Sequence, residues 1–287
     1  MSVHLPTTVE AAVAALAADP DATVLAGGTD LMVEINEGRR RPGGSLVATT
    51  RIAELHSWRH EPATATLHIG AGVTYRELMD APLGEWCPAL AEASRTVGSP
   101  QIRNAGTLGG NLATCSPAGD ALPVLAALGA TVELASAHGR RTLPVAEFMV
   151  GVKRTALAPG ELIVSVAVPV VSGFQGYAKV GVRNAMVIAV ATACVVLDSD
   201  RHQAAIAVGS VGPTILRCPE AEALVVDGLD WQTRTLPDAT LAAVVESVRA
   251  TSRPITDHRS TAEYRRHAVG VLVRRLLTRA AVGEEAA

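Results

Sequence analysis

Two short segments carry residue types able to grip a phosphate. Val24-Leu25-Ala26-Gly27-Gly28-Thr29-Asp30-Leu31 runs from a strand-like apolar stretch through a diglycine into a helix-like one. Paired glycines allow positive φ and let a ligand approach the main chain closely. Successive backbone N–H groups in such a turn form an anion-binding nest, and the start of the next helix adds the positive end of its dipole. Thr29 supplies a hydroxyl. No Lys or Arg stands within the segment, which points to a diphosphate held mainly by main-chain donors. Thr107-Leu108-Gly109-Gly110-Asn111 reads as a second loop of the same kind, with hydroxyl, diglycine and amide in five residues. Arg103 and Asn104 precede it, and Ser116-Pro117-Ala118-Gly119-Asp120 follows. Either diglycine alone could be a tight turn and nothing more; the two together, each with a threonine, favour a ligand.

The elements that must position these segments follow from periodicity and caps. Thr7-Thr8-Val9-Glu10 has capping-box spacing and predicts a helix to about Ala18. Ala22–Ala26 is a short apolar strand, Leu31–Glu37 is helical, and Leu46–Ala48 is a further strand. Ala65–Gly70 alternates apolar and polar residues as a half-buried strand does. Thr74-Tyr75-Arg76-Glu77 is a second capping box, and Pro88–Val97 is a helix with Pro in its first turn. Gly98 to Gly119 reads as a long irregular stretch. Asp120–Leu128 is helical, Thr131–Leu134 a strand, and Glu161–Val168 a strong strand ended by Pro169. The texture then changes. Phe174–Val182, Val187–Leu197 and Ala204–Val211 predict three successive antiparallel strands. The last third is helical, opened by a third box at Ser260-Thr261-Ala262-Glu263, with Val269, Leu272, Val273, Leu276 and Leu277 at helical spacing. A boundary near residue 172 divides the chain into domains 1–172 and 173–287.

Composition limits the function. The 287 residues are 48% hydrophobic and 18% charged, as in a globular chain. A net charge of −3 gives no case for nucleic acid. No apolar run is long enough for a membrane span and no signal peptide is evident, so a cytoplasmic protein is expected. Cys87, Cys115, Cys194 and Cys218 form no CxxC pair, and the histidines stand at no ligand spacing, so no metal site is expected. Gly70-Ala71-Gly72 begins like a dinucleotide fingerprint but has Tyr75 where the third glycine should be. P-loop, GxSxG and HExxH motifs are missing.

The order Ala26–Asp30, Ile102–Asn111, Ser116–Asp120 resembles the FAD-binding medium subunit of the xanthine dehydrogenase and carbon monoxide dehydrogenase family of molybdenum hydroxylases. Tyr177-Ala178-Lys179-Val180-Gly181-Val182-Arg183-Asn184-Ala185 matches that family's lysine-containing strand. The resemblance covers nearly the whole chain. It implies an α+β fold: a two-subdomain FAD-binding domain of the vanillyl-alcohol-oxidase type, then a C-terminal domain with a three-stranded antiparallel sheet and helices. By position, Val24–Leu31 and Thr107–Asn111 would bind the pyrophosphate and ribityl. Asp120 would accept a hydrogen bond from a sugar or ribityl hydroxyl, and Ile163 would pack near the flavin or adenine. Lys179 would lie near the isoalloxazine. Val97 stands where some relatives place an aromatic, and an aliphatic side chain removes any stacking there. On residues alone, Asp120 could equally be a helix N-cap, Lys179 an exposed strand lysine and Ile163 plain core.

The resemblance also implies partners: a large subunit with the molybdenum cofactor, where a purine or related N-heterocycle would be hydroxylated, and a small subunit with [2Fe-2S] clusters. This chain has no cysteine cluster for iron–sulfur. It would be the electron-exit module of a heterotrimer, in a dimer of trimers, passing electrons to NAD+ or another acceptor. A self-contained flavin oxidoreductase of the same fold superfamily and a non-enzymatic diphosphate-binding protein are the alternatives. Arg265, Arg266, Arg274, Arg275 and Arg279 on the last helix read as a solvated basic face, with a subunit contact as the sharper reading.

Overall fold

Apolar runs and turn residues build two α+β units, each with its own sheets; a computed structural model describes residues 2–282. The first unit comprises Met1–Leu78, Ser99–Cys115 and Gly129–Pro169. Val3–His4 (β1), Thr23–Leu25 (β2) and Leu46–Ala48 (β3) form a small parallel sheet in the order β1–β3–β2. The helix Val9–Ala18 buries Val9, Ala12, Val13 and Leu16, the spacing of one helical face. Trp58–Glu61 (β4), Thr66–Gly70 (β5), Thr131–Ser136 (β6) and Gly139–Pro144 (β7) belong to a larger antiparallel sheet. Met149–Gly151 (β8) and Arg154–Thr155 (β9) make a separate hairpin, and Leu162–Pro169 (β10) completes the large sheet in the order β4–β5–β10–β6–β7. β10 lies at its centre, which is why its run Leu162, Ile163, Val164, Val166 and Val168 is buried.

The second unit takes Met79–Gly98 and Ser116–Leu128 together with Val170–Ala287, so it reaches back across residue 172. Gly173–Val180 (β11), Ala191–Asp198 (β12), Gln203–Gly209 (β13) and Leu216–Arg217 (β14) form an antiparallel sheet. The two-residue β14 is added to the three strands predicted. β12 is buried along its whole length. Its residues Ala191, Ala193, Val195 and Leu197 share a core with Val269, Leu272, Val273 and Leu276 of the helix Ala262–Val282. The alternate face meets the helix Ala121–Ala127. β12 also starts later than predicted. Gly181 leaves no room for a Cβ beside Val187, Met186 has φ +49, and the Arg183 guanidinium donates to the Met186 carbonyl. The apolar residues between the strands therefore form a loop that exposes Val182, Met186 and Ile188.

The stretch from Gly98 to Gly119 is not irregular. It contains the helices Pro100–Ala105 and Leu108–Thr114, capped by Ser99 and Thr107. Tertiary bonds override the glycines' poor propensity: the Leu108 and Gly109 N–H groups donate to the Val73 and Ala71 carbonyls at 3.0 and 2.8 Å. Of the three capping boxes, only Thr74–Glu77 forms reciprocally: Thr74 N donates to Glu77 Oε2 at 2.8 Å and Glu77 N to Thr74 Oγ1 at 3.3 Å. In the other two the cap is the next residue, Thr8 and Thr261. Ser260 cannot serve because Asp257 holds it in a turn.

The basic-face reading of the last helix fails for Arg265. Its side chain is buried and donates to the Val190 carbonyl at 2.9 Å, the Ser210 carbonyl at 3.1 Å and Asp257 Oδ1 at 2.7 Å. Arg279 is half-buried against Phe174 and pairs with Glu92 at 3.0 Å. Arg266, Arg274 and Arg275 are exposed. Burial raises the Asp257 carboxyl, but main-chain donation from Arg259 and the bond and charge of Arg265 outweigh it and hold the group at about 2. Removing Arg265 takes the donor from two buried carbonyls and one of several donors from Asp257, which keeps Arg259 and Ser260. Arg265→Ala is expected to cost about 3 kcal/mol in chemical denaturation, and Arg274→Ala less than about 0.5 kcal/mol. Because the folded Asp257 lies below the unfolded carboxylate value, its contribution is complete above about pH 4 and fades as pH falls toward 2. That acid-side slope should be shallower in Arg265→Ala, as denaturation curves across this pH range would reveal.

Candidate cofactor site

Within the first unit, the end of β2, the helix Leu31–Asn36, the helix Leu108–Thr114, the β8–β9 turn and the start of β10 surround a cavity of about 450 Å³, within the range of small-molecule sites. Val24, Ala26, Gly27, Gly28, Thr29, Asp30 and Leu31 line it from one side, and Thr107, Gly109, Gly110 and Asn111 from another; Ile163 completes the wall. The structure thus brings both sequence-predicted segments to one space. Leu25 and Leu108 stand behind the lining, Leu108 fully buried. Val97, Asp120 and Lys179 belong to the second unit and do not line this cavity.

The two diglycines divide their work in the same way. A Cβ on Gly27 would fall 1.7 Å from the Ala105 carbonyl oxygen, and one on Gly109 would fall 2.5 Å from the Ala71 Cβ. These two glycines permit main-chain packing. Gly28 has φ +70 and supplies the turn; Gly110 would meet only its own cap, Thr107 Oγ1, at 3.0 Å.

The segments differ in their donors. Among the described residues, no partner is found for the main-chain N–H groups of Ala26, Gly27, Gly28 and Thr29. They are the main-chain donors that the sequence offers to an anion, and they are unengaged. Thr107–Asn111 is instead the first turn of a helix, and its amides are used: Leu108 and Gly109 on carbonyls, Gly110 on Thr107 Oγ1, Asn111 on the Thr107 carbonyl. That corrects its reading as a second main-chain loop. What it offers the cavity is the bare surface of Gly110 and the Asn111 side chain, whose buried Oδ1 has no partner. Such an atom fits a ligand bearing hydroxyls.

Sequence reasoning named Asp30 but missed the rest of the polar rim. Asp30 is no N-cap by side chain; its Oδ2 accepts from Thr114 Oγ1 at 2.8 Å. Glu34, Arg40, Lys153 and Glu161 also line the cavity. Lys153 donates to Glu34 at 2.9 Å and holds its carboxyl below the usual range. Arg141 binds Glu161 at 2.6 and 2.8 Å with the same effect. The arrival of Lys153 at Glu34 from 119 residues along the chain was not legible in the sequence.

In the second unit, Asp120, Tyr177 and Lys179 meet. Tyr177 Oη donates to Asp120 Oδ1 at 2.7 Å; Lys179 Nζ donates to Asp120 Oδ2 at 2.8 Å and to the Thr96 carbonyl at 3.1 Å. The lysine side chain is 6% exposed and the aspartate 9%, so neither an exposed lysine nor a simple N-cap describes them. Burial pushes the Asp120 carboxyl up and the Lys179 charge pulls it back; burial, then the Asp120 charge, holds the Tyr177 phenol well above its ordinary value. The tyrosine therefore stays a donor. Tyr177 was missed although it lies two residues from Lys179, on the same strand face.

Burial pushes the thiols of Cys87 and Cys218 up to about 12, and those of Cys115 and Cys194 upward as well. All four are free thiols buried in the fold, a poor state for nucleophiles or metal ligands. Among the described residues no three His, Cys, Asp or Glu groups are placed to share a metal ion, and no helix is long and apolar enough to cross a membrane.

Residues 1–171 match the family model of the FAD binding domain in molybdopterin dehydrogenase, and residues 177–280 that of the CO dehydrogenase flavoprotein C-terminal domain. The chain is 32% identical to the nicotine 6-hydroxylase medium subunit of Paenarthrobacter nicotinovorans, over 96% of this chain and 95% of that one. It is 32% identical to the carbon monoxide dehydrogenase medium chain of Afipia carboxidovorans, over the same shares. Reconstituted CO dehydrogenase from Oligotropha carboxidovorans superposes with a TM-score of 0.90 at 31% identity, covering 98% of each chain. The chain belongs to the FAD-binding medium subunits of the multi-subunit molybdenum hydroxylases.

Proposed function

We propose that this chain is the electron-exit subunit of a cytoplasmic molybdenum hydroxylase, assembled with a large molybdenum-cofactor subunit and a small [2Fe-2S] subunit as a dimer of heterotrimers. The observation that carries the cofactor assignment is the set of unused N–H groups at Ala26–Thr29, residues that line one cavity with Asn111, whose buried Oδ1 has no partner. Those donors suit the pyrophosphate, and Asn111 suits the hydroxyls of the adjoining ribityl. Ile163 gives an apolar wall for the flavin or adenine. When bound, FAD supplies the redox chemistry, receiving electrons from the iron–sulfur subunit and delivering them to NAD+ or another acceptor. The protein's share is to bind, orient and tune.

Tuning falls to Lys179, the positive charge that the family resemblance sets beside the isoalloxazine. Asp120 has both oxygens engaged by Tyr177 and Lys179, so its part is to fix that ammonium rather than chiefly to bind a sugar. Val97 contributes an aliphatic surface without stacking. The hydroxylated substrate, a purine or related N-heterocycle, meets another subunit. The name of the nicotine 6-hydroxylase relative supports a nitrogen heterocycle.

The isolated chain incubated with FAD should take up flavin and turn yellow. Gly28→Val forces a β-branched residue into φ +70, a strain of roughly 1–3 kcal/mol against a domain stability of about 5–15 kcal/mol. It should lose FAD while its circular dichroism stays native; wild-type flavin content would remove the loop from the site. The flavin of the isolated chain should be bleached by NADH but not by a purine or nicotine. Direct reduction by such a substrate would favour a self-contained flavin oxidoreductase instead.

A further inference from the structure

The β8–β9 turn is held more firmly than a surface hairpin needs. Lys153 sits in it at φ +51, a conformation that costs a non-glycine residue and survives only where the surroundings impose it. Its N–H donates to the Cys115 carbonyl at 3.0 Å. Cys115 itself has φ +44, and its thiol donates to the Gly151 carbonyl at 3.8 Å. The cost includes two valines, Val150 and Val152, left 51% and 57% exposed. The result is to place Lys153 in the lining of the cavity that contains the Ala26–Thr29 donors.

There the ammonium meets Glu34 Oε1 at 2.9 Å, and Arg40 faces Glu34 Oε2 at 3.8 Å. The lysine side chain is 57% exposed. An exposed pair of this kind holds weakly because water screens it. A diphosphate carries more charge than a carboxylate and has more acceptor oxygens, so it can draw the lysine away. We infer that Lys153 is a binding residue for the cofactor's diphosphate, held ready at the cavity by Glu34, with Arg40 as the second cation that Glu34 retains. The inference rests on the FAD reading of the cavity. It supplies the cation that the glycine segments themselves lack.

The test is titration of the flavin-free full chain with FAD and, separately, with ADP, which carries the same diphosphate, at low and high salt. Lys153→Met should weaken both about tenfold and flatten the salt dependence. Glu34→Gln removes the competitor and should tighten both several-fold, about the reach of one screened charge. Opposite signs for the two substitutions are the signature. If Lys153→Met binds as wild type does, or if both substitutions weaken binding alike because the pair merely braces the hairpin, the inference falls. Wild-type chain that takes up neither FAD nor ADP would overturn the cavity's assignment itself, and this inference with it.

Discussion

Main chain meeting main chain where no side chain has room is the constraint on which the cavity depends. At Gly27 the strand end presses against the Ala105 carbonyl, and at Gly109 a helix turn presses against Ala71. Both approaches need a missing Cβ. They seat the two segments, leaving Gly28 and Gly110, their immediate neighbours, facing the space between. A diglycine here is two residues with two purposes: the first lets the backbone pack, the second shapes the surface presented to a ligand. Replacing the first kind attacks the fold; replacing the second attacks the site.

That division explains why the two segments looked alike in sequence and differ in space. Both carry threonine, diglycine and a polar end. In the first, the N–H groups find no partner among the described residues; in the second, the Val73 and Ala71 carbonyls and the Thr107 hydroxyl use them. Periodicity could reveal β5 and β10, whose alternation and apolar run depend on local burial, and it placed the three long strands of the second unit. It could not reveal the helices in 98–119. There, glycine and proline composition argued for a loop, and the caps at Ser99 and Thr107 together with bonds to residues 71–76 supply the compensation. Arg265 was misread for the same reason. Helical spacing places it among the basic residues, whereas its partners come from three separate stretches, Val190, Ser210 and Asp257.

The second unit carries the same lesson at Asp120. Sequence offered a cap or a ligand group. The structure makes it the centre of a buried triad, with Tyr177 and Lys179 on one strand face closing on it from 57 and 59 residues away. A buried ion pair of this kind is weak evidence for stability, since desolvation offsets much of the attraction. Its specific effect is positional: the two oxygens of one carboxylate hold a phenol and an ammonium in a single arrangement. That is a use of buried charge suited to a tuning group, for which location matters more than binding energy.

The cavity's electrostatics fit a resident cofactor better than a ligand that cycles. Asp30, Glu34 and Glu161 line it against Arg40 and Lys153, and Arg141 neutralises Glu161, so the wall has almost no net charge. A neutral wall gives little long-range steering. Attraction must come at short range, from main-chain donors and from cations that exchange one anionic partner for another. Such a site sacrifices speed of capture, which a group bound once does not need. It favours geometry, because only a ligand reaching the Ala26–Thr29 donors and the rim cations together engages both.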